Sequence, residues 1–108
     1  MKMTTQDRAR LEARAAILKA LAHPVRLFMV ETLSESPHCV CELTDMVGLD
    51  ISTVSKHLAV LKNAGLVRIE KQGRQVIYHL RVRCALNFLD CVETVIRQQA
   101  EERLAALR

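Results

Sequence analysis

Aromatic residues are almost missing from this chain of 108 residues, which has no tryptophan, one tyrosine and two phenylalanines. Half of the residues are hydrophobic nonetheless, so the core must be aliphatic, built mostly from Leu, Val and Ala. Also missing is any stretch with the length and apolarity of a membrane span or a secretory signal. That absence implies a cytoplasmic protein that keeps clear of membranes. Its four cysteines would there stay reduced, as ligands or redox groups rather than a disulfide frame. No phosphate-binding loop is present, and a chain this short buries one small core with little room for a substrate pocket. An enzyme working through a cysteine nucleophile is therefore not expected.

Charge is modest in sum and uneven in place. The net charge is +4 and the isoelectric point near 9.1. Between Ile51 and Arg83 stand Lys56, Lys62, Arg68, Lys71, Arg74, Arg81 and Arg83, opposed only by Glu70. A basic middle between more acidic or neutral ends is the footprint of a nucleic-acid surface.

The most informative stretch lies inside it, DISTVSKHLAVLKNAG, residues 50–65. Asp50 offers an N-cap carboxylate, with Ser52 and Thr53 in the first turn. Val54, Leu58 and Leu61 recur at helical spacing and form an apolar face. Asn63-Ala64-Gly65 supplies a helix end suited to a left-handed terminal residue. The other face carries Ser52, Thr53, Ser55, Lys56 and His57. Short hydroxyls beside cations let a helix approach a duplex closely, meeting phosphates and base edges. An isolated helix of this kind is more often just solvated; its neighbours decide otherwise.

Residues 8–22 read as a helix with Leu11, Ala15, Leu18 and Leu21 on one side. His23-Pro24 breaks it, because proline opens a helix but does not continue one. Residues 25–33 form a second helix, with Leu27, Phe28, Met29 and Val30 expected to be mostly buried. Ser36-Pro37 reads as a cap and first helical position for a third helix over 39–47, ended by Gly48. A tight turn then leads into the 50–65 helix, which makes residues 37–65 a helix-turn-helix. Two runs of β-formers follow, at 66–70 and 75–80, joined by Lys71-Gln72-Gly73-Arg74. Residues 66–80 thus form a hairpin wing, whose Arg74 can reach a minor groove or a phosphate. Residues 84–107 form a last helix with a stripe of Leu86, Leu89, Val92, Val95 and Ile96.

The fold class that results is mostly α with a β-hairpin wing, a single winged helix-turn-helix domain over residues 1–108. So small a domain leaves the last stripe uncovered. Packing against a second copy covers it, so the helices at 7–22 and 84–107 are expected to build a homodimer. A dimer also matches a double-stranded operator with two half-sites one DNA turn apart, an imperfect inverted repeat.

Over nearly its whole length the chain resembles the ArsR/SmtB family of bacterial metal-responsive repressors. The resemblance rests on LKALAHPVRL at 18–27, CVCEL at 39–43, STVSKHL at 52–58 and LKNAGLV at 61–67, in this order. It implies a homodimeric winged-helix repressor that holds its operator until an effector binds. It also implies that Ser52, Thr53, Ser55, Lys56 and His57 face DNA; Lys62 and Arg74 complete the expected DNA-binding set.

Cys39-Val40-Cys41 points to the effector. The family's arsenic sensors carry Cys-x-Cys-x-x-Cys at the start of this helix, and its cadmium and lead sensors use the first two cysteines with others. Here the third place is Thr44. Thiolates favour arsenite, antimonite and soft cations such as cadmium or lead, and a helix N-terminus favours the thiolate form. Residues two apart in a regular helix point to nearly opposite sides. Cys39 and Cys41 therefore share one ion only if the first turn distorts or has not begun. Cys84 or Cys91 is the candidate third ligand. Those two stand about 10 Å apart along a helix, too far to chelate one ion through bonds near ~2.3 Å. Small buried thiols at an interface are their plainer reading. The zinc, cobalt and nickel sensors of the family use Asp and His on the last helix; residues 84–108 contain no histidine, which excludes that site. No cofactor is required beyond the effector ion. Two alternatives stay open: a repressor that answers to thiol oxidation, persulfide or an organic metabolite without metal, and a winged protein-interaction module that binds no DNA.

Overall fold

Four of the five helices in this chain begin where a side chain accepts one of the first free amides; the last has no side-chain cap. Thr4 and Asp7 form a reciprocal capping box that starts α1 (Thr5–Leu21) three residues before the expected point. His23 Nδ1 accepts the Val25 amide, and Pro24 fills the first position of α2 (Pro24–Glu35). Asp50 caps α4 (Ile51–Asn63), as its sequence requires.

The computed structural model describes residues 1–108. A two-residue strand, β1 (His38–Cys39), precedes α3 (Val40–Val47). The wing strands β2 (Val67–Gln72) and β3 (Gln75–Leu80) follow α4, and α5 (Ala85–Ala106) ends the chain. The expected winged helix-turn-helix is there: α3 packs on α4 across a short turn, and the wing follows directly.

The start of α3 corrects the sequence reading. Ser36 is the C-cap of α2 and not the N-cap of α3, and Pro37 lies outside any helix. His38 and Cys39 instead pair antiparallel with Tyr78 and Ile77 of β3, so the wing is a three-stranded sheet in the order β1-β3-β2. Extended pairing holds the chain out of helical geometry until Val40, and Cys39 becomes the N-cap.

In the wing, Val67 faces Leu80 and the register runs to Gln72 opposite Gln75, so only Gly73 and Arg74 make the turn. Gly73 has φ 63° and Arg74 a negative φ. Glycine at the first central position is what a type II′ hairpin needs. Gly65, with φ 80°, closes α4, and the Leu66 amide returns to the Leu61 carbonyl at 3.0 Å.

The core gathers where α2, α3, α4 and the wing meet. Met29, Val30, Leu43, Val54, Leu58 and Leu61 are wholly buried there. Of four apolar residues in a row on α2, only Met29 and Val30 reach this core; Leu27 is half-buried and Phe28 exposed. Four consecutive positions sweep the whole circumference of a helix, so one core cannot take them all.

The outer helices are nearly bare. On α1 only Ala20 and Leu21 are buried, and on α5 no residue is. Leu11, Ile17 and Leu18 of α1 and Phe88, Val92, Val95 and Ile96 of α5 are exposed. A wholly apolar hollow lies between α1, α2 and α5, lined by Leu18, Leu27, Phe88 and Val92 among others. The radius of gyration is 17.3 Å, against about 13 Å for a compact chain of this length.

Candidate nucleic-acid interface and thiol site

Burying Val54, Leu58 and Leu61 fixes which side of α4 faces outward. Ser52, Ser55, Lys56 and Lys62 are exposed there, with Thr53 half-buried. The first turn is internally bonded. Asp50 Oδ2 accepts the Ser52 hydroxyl at 2.8 Å and the Thr53 amide at 3.1 Å, and Oδ1 accepts the Thr53 hydroxyl at 2.7 Å. Donation from the Thr53 hydroxyl, then Ser52 and the Thr53 amide, pulls the Asp50 carboxyl down to about 2. The Ser52 and Thr53 hydroxyl hydrogens are thus committed to Asp50. Ser55 and Lys56, one turn on, are the side chains best placed to reach a duplex directly.

His57 is placed differently from its neighbours. It is half-buried, with Nδ1 3.1 Å from Arg26 Nη1 and its ring 4.3 Å from that of His23. Burial first, then the charges of His23 and Arg26, lower its pKa. Its Nδ1 is engaged inside the domain rather than offered outward.

At the wing, Glu70 is held by Arg68 at 3.5 Å and by the Gln72 amide at 2.8 Å, with its carboxyl lowered by those contacts, Gln72 first. The acid opposing the basic stretch is therefore occupied, while Lys71 and Arg74 project from the hairpin end exposed. Ser55, Lys56 and Lys62 on α4 and Lys71 and Arg74 on the wing give hydroxyls for close approach and cations for phosphates.

The thiols divide by exposure. Cys39 is buried, while Cys41, Cys84 and Cys91 are exposed, and all four are free. Cys39 has φ −79° and ψ 163°, so it stands just outside the helix whose first turn holds Cys41. This is one of the two conditions under which both sulfurs can turn to one ion. Cys39 Sγ accepts the Glu42 amide at 3.4 Å, and Glu42 Oε1 accepts the Cys39 amide at 3.1 Å. The Cys39 amide foremost, then its side chain and His38, hold the Glu42 carboxyl below its ordinary value. His38 sits on β1 with its Nδ1 3.3 Å from Glu42 Oε2. Thr44, where the arsenic pattern has its third cysteine, donates its hydroxyl to the Val40 carbonyl at 2.7 Å. Within one chain no three His, Cys, Asp or Glu side chains are grouped to hold a metal ion. A third ligand for Cys39 and Cys41 would have to come from another chain or from water or hydroxide.

Sequence reasoning missed Glu42 and Arg26 as parts of the site. Glu42 completes a capping box, but that signal becomes legible only once Cys39 is known to be the cap. Arg26 had none.

The family profile described as the bacterial regulatory protein arsR family matches residues 23–68. An HTH-type transcriptional repressor SmtB of Mycobacterium tuberculosis is 47% identical over 70 residues, covering 65% of this chain and 52% of that protein. The chain therefore spans about half the length of that relative. A biofilm growth-associated repressor of Xylella fastidiosa is 34% identical over 101 residues, which cover 93% of this chain and 89% of that protein. Among solved structures, a homodimeric winged helix-turn-helix DNA-binding domain of Mycobacterium bovis superimposes with a TM-score of 0.77 at 25% identity, covering 92% of each chain.

Proposed function

The chain belongs to the arsR family of bacterial regulatory proteins, and from that premise we propose that it is a homodimeric repressor, released from operator DNA when a thiophilic ion binds Cys39 and Cys41. The matched relatives are transcriptional regulators and not enzymes. The observation that carries the DNA reading is the orientation of α4. Its apolar side is wholly buried while Ser55 and Lys56 stand free next to a basic wing.

The dimer reading rests on the bare apolar sides of α1 and α5. Two copies pairing through these helices would present two α4 helices to successive major grooves of an imperfect inverted repeat. The effector reading rests on Cys39 and Cys41 flanking the start of α3. Two thiolate sulfurs suit arsenite, antimonite, cadmium or lead. Cys39 is buried and Cys41 exposed, so joint capture draws Cys39 out of its cap. That frees the Glu42 amide and loosens β1 from β3. Because α3 supports α4, the strain passes to the recognition helix. Near-complete release requires the ion to favour the released form by about 5.5 kcal/mol, whereas ~1–3 kcal/mol gives graded release.

A second effector is favoured by one observation: no three-ligand grouping exists within a chain, yet three free thiols are exposed. A thiol oxidant or persulfide donor acting on Cys41 with Cys84 or Cys91 needs no third ligand.

One experiment separates these readings. A labelled duplex, selected from a randomised pool by the reduced protein, is titrated without oxygen and followed by fluorescence anisotropy. Arsenite, cadmium or a persulfide donor is then added. Release by an ion, lost in Cys39→Ser and Cys41→Ser alike, supports the ion sensor. Release by the persulfide donor alone supports the second reading. Failure to bind any duplex in a salt-dependent way overturns the DNA reading.

A further inference from the structure

Arg26 lies on α2, away from the exposed side of α4, yet its guanidinium touches two other helices. Nε donates to the Ala20 carbonyl at 2.6 Å and Nη2 to the Lys19 carbonyl at 3.3 Å, both in the last turn of α1. Nη1 lies 3.1 Å from His57 Nδ1 on α4. A cation at a helix C-terminus meets the negative end of the helix dipole and its unpaired carbonyls. One planar group with donors in fixed directions thus joins the end of α1 to the middle of α4.

We infer that Arg26 is the positioning residue of the recognition helix: it sets the angle of α4 against α1 through a neutral His57. The inference rests on reading α4 as the DNA-recognition helix. Its chemistry is fixed by donor arithmetic. Guanidinium has only donors, so His57 Nδ1 must accept and the ring proton must sit on Nε2. His23 Nδ1 likewise accepts the Val25 amide at 3.1 Å. The His57 ring, 4.3 Å from that of His23, is thereby held by Arg26 in the neutral form with Nε2 protonated. Protonating His57 sets an N–H against an N–H and breaks the link. The groups acting on His57 are His23 and Arg26, with no carboxylate among them, so nothing nearby stabilises its cation. Since α1 carries the apolar side proposed to pair with a second copy, the link also fixes the two recognition helices relative to each other in a dimer.

The signature of such a residue is loss of discrimination rather than loss of binding. Arg26→Lys keeps the charge and loses the fork. It is expected to weaken binding to the selected duplex at least ~tenfold, about 1.4 kcal/mol, while binding to a random duplex and the dimer equilibrium stay within about twofold. In His57→Ala, adding Arg26→Lys should produce no further loss, because the pair acts as a unit. Selective binding by the wild type should hold through the ordinary histidine range, about pH 6.5, and fall only as the pH drops below it, because the His57 pKa is lowered; His57→Gln should remove that dependence. Nitrogen NMR of the free wild-type protein reads the same link without DNA, as an unprotonated His57 Nδ1. A protonated Nδ1 at neutral pH, or equal loss on selected and random duplex in Arg26→Lys, overturns the inference. Silence of Ser55→Ala and Lys56→Ala on the selected duplex overturns the recognition-helix reading, and the inference with it.

Discussion

At Asp50 charge and shape act together. The carboxylate satisfies an α4 amide and gathers two hydroxyls, and these bonds depress its pKa from 3.8 to about 2. Because the folded value lies below the unfolded one, this stabilisation is complete above about pH 4 and lost as the pH falls towards 2. Asp50→Asn keeps an acceptor for the cap. It should melt within a few degrees of the wild type at pH 7, with a flatter decline of Tm below about pH 4. Asp50→Ala should melt lower at both. Cys39 gives a sharper contrast. Serine is among the best N-cap residues, so Cys39→Ser should keep the stability of the fold and abolish any response to a thiophilic ion. Cys39→Ala removes the acceptor as well and should cost about 1 kcal/mol in urea unfolding. The two caps also mark how far the sequence could be read. Asp50 was legible because cap, first turn and apolar period lie within a dozen residues. Cys39 was not, because its extended backbone is imposed by Ile77 of a strand far along the chain. The Arg26 to His57 contact spans 31 residues, and no local pattern encodes it.

Among the elements, α4 depends on its buried side for both existence and orientation. Leu58→Ala leaves a void between α4 and its neighbours and should destabilise by about 2–5 kcal/mol in urea unfolding, with DNA binding lost alongside. The order of helices and the hairpin were legible because each has its own period and its own breaker: His23-Pro24, Gly48, Gly65 and Gly73. The strand β1 was not, since two residues carry no period. It matters because it ties the Cys39 backbone to the wing as well as to α3. An event at that sulfur therefore reaches both parts of the proposed DNA surface.

For the whole molecule, the extended shape is the central fact. A radius of gyration of 17.3 Å and an α5 without one buried residue are the features that the proposed homodimer would complete. Ile96→Glu places a charge on the bare side of α5, where a single chain loses no contact in its core. It should leave the helical circular-dichroism signal of the wing-and-helix core in place, shift sedimentation towards the monomer, and weaken operator binding by more than tenfold. The wild type should show a Tm that rises with protein concentration, as expected when association stabilises the folded chain. The apolar stripe behind this expectation was legible in the sequence; its registry against a partner was not, because nothing in one chain specifies it.

A capping position selects for an acceptor atom, not for a chemical element. Cysteine and serine both carry one at nearly the same size, so descendants of this scaffold can exchange sulfur for oxygen at position 39 while keeping the cap that starts α3. On the reading proposed above, the atom that would select the inducer is thus one whose part in the fold an oxygen can take over. Lineages carrying it would then be free to lose one inducer and acquire another while the helices and the wing pass on intact.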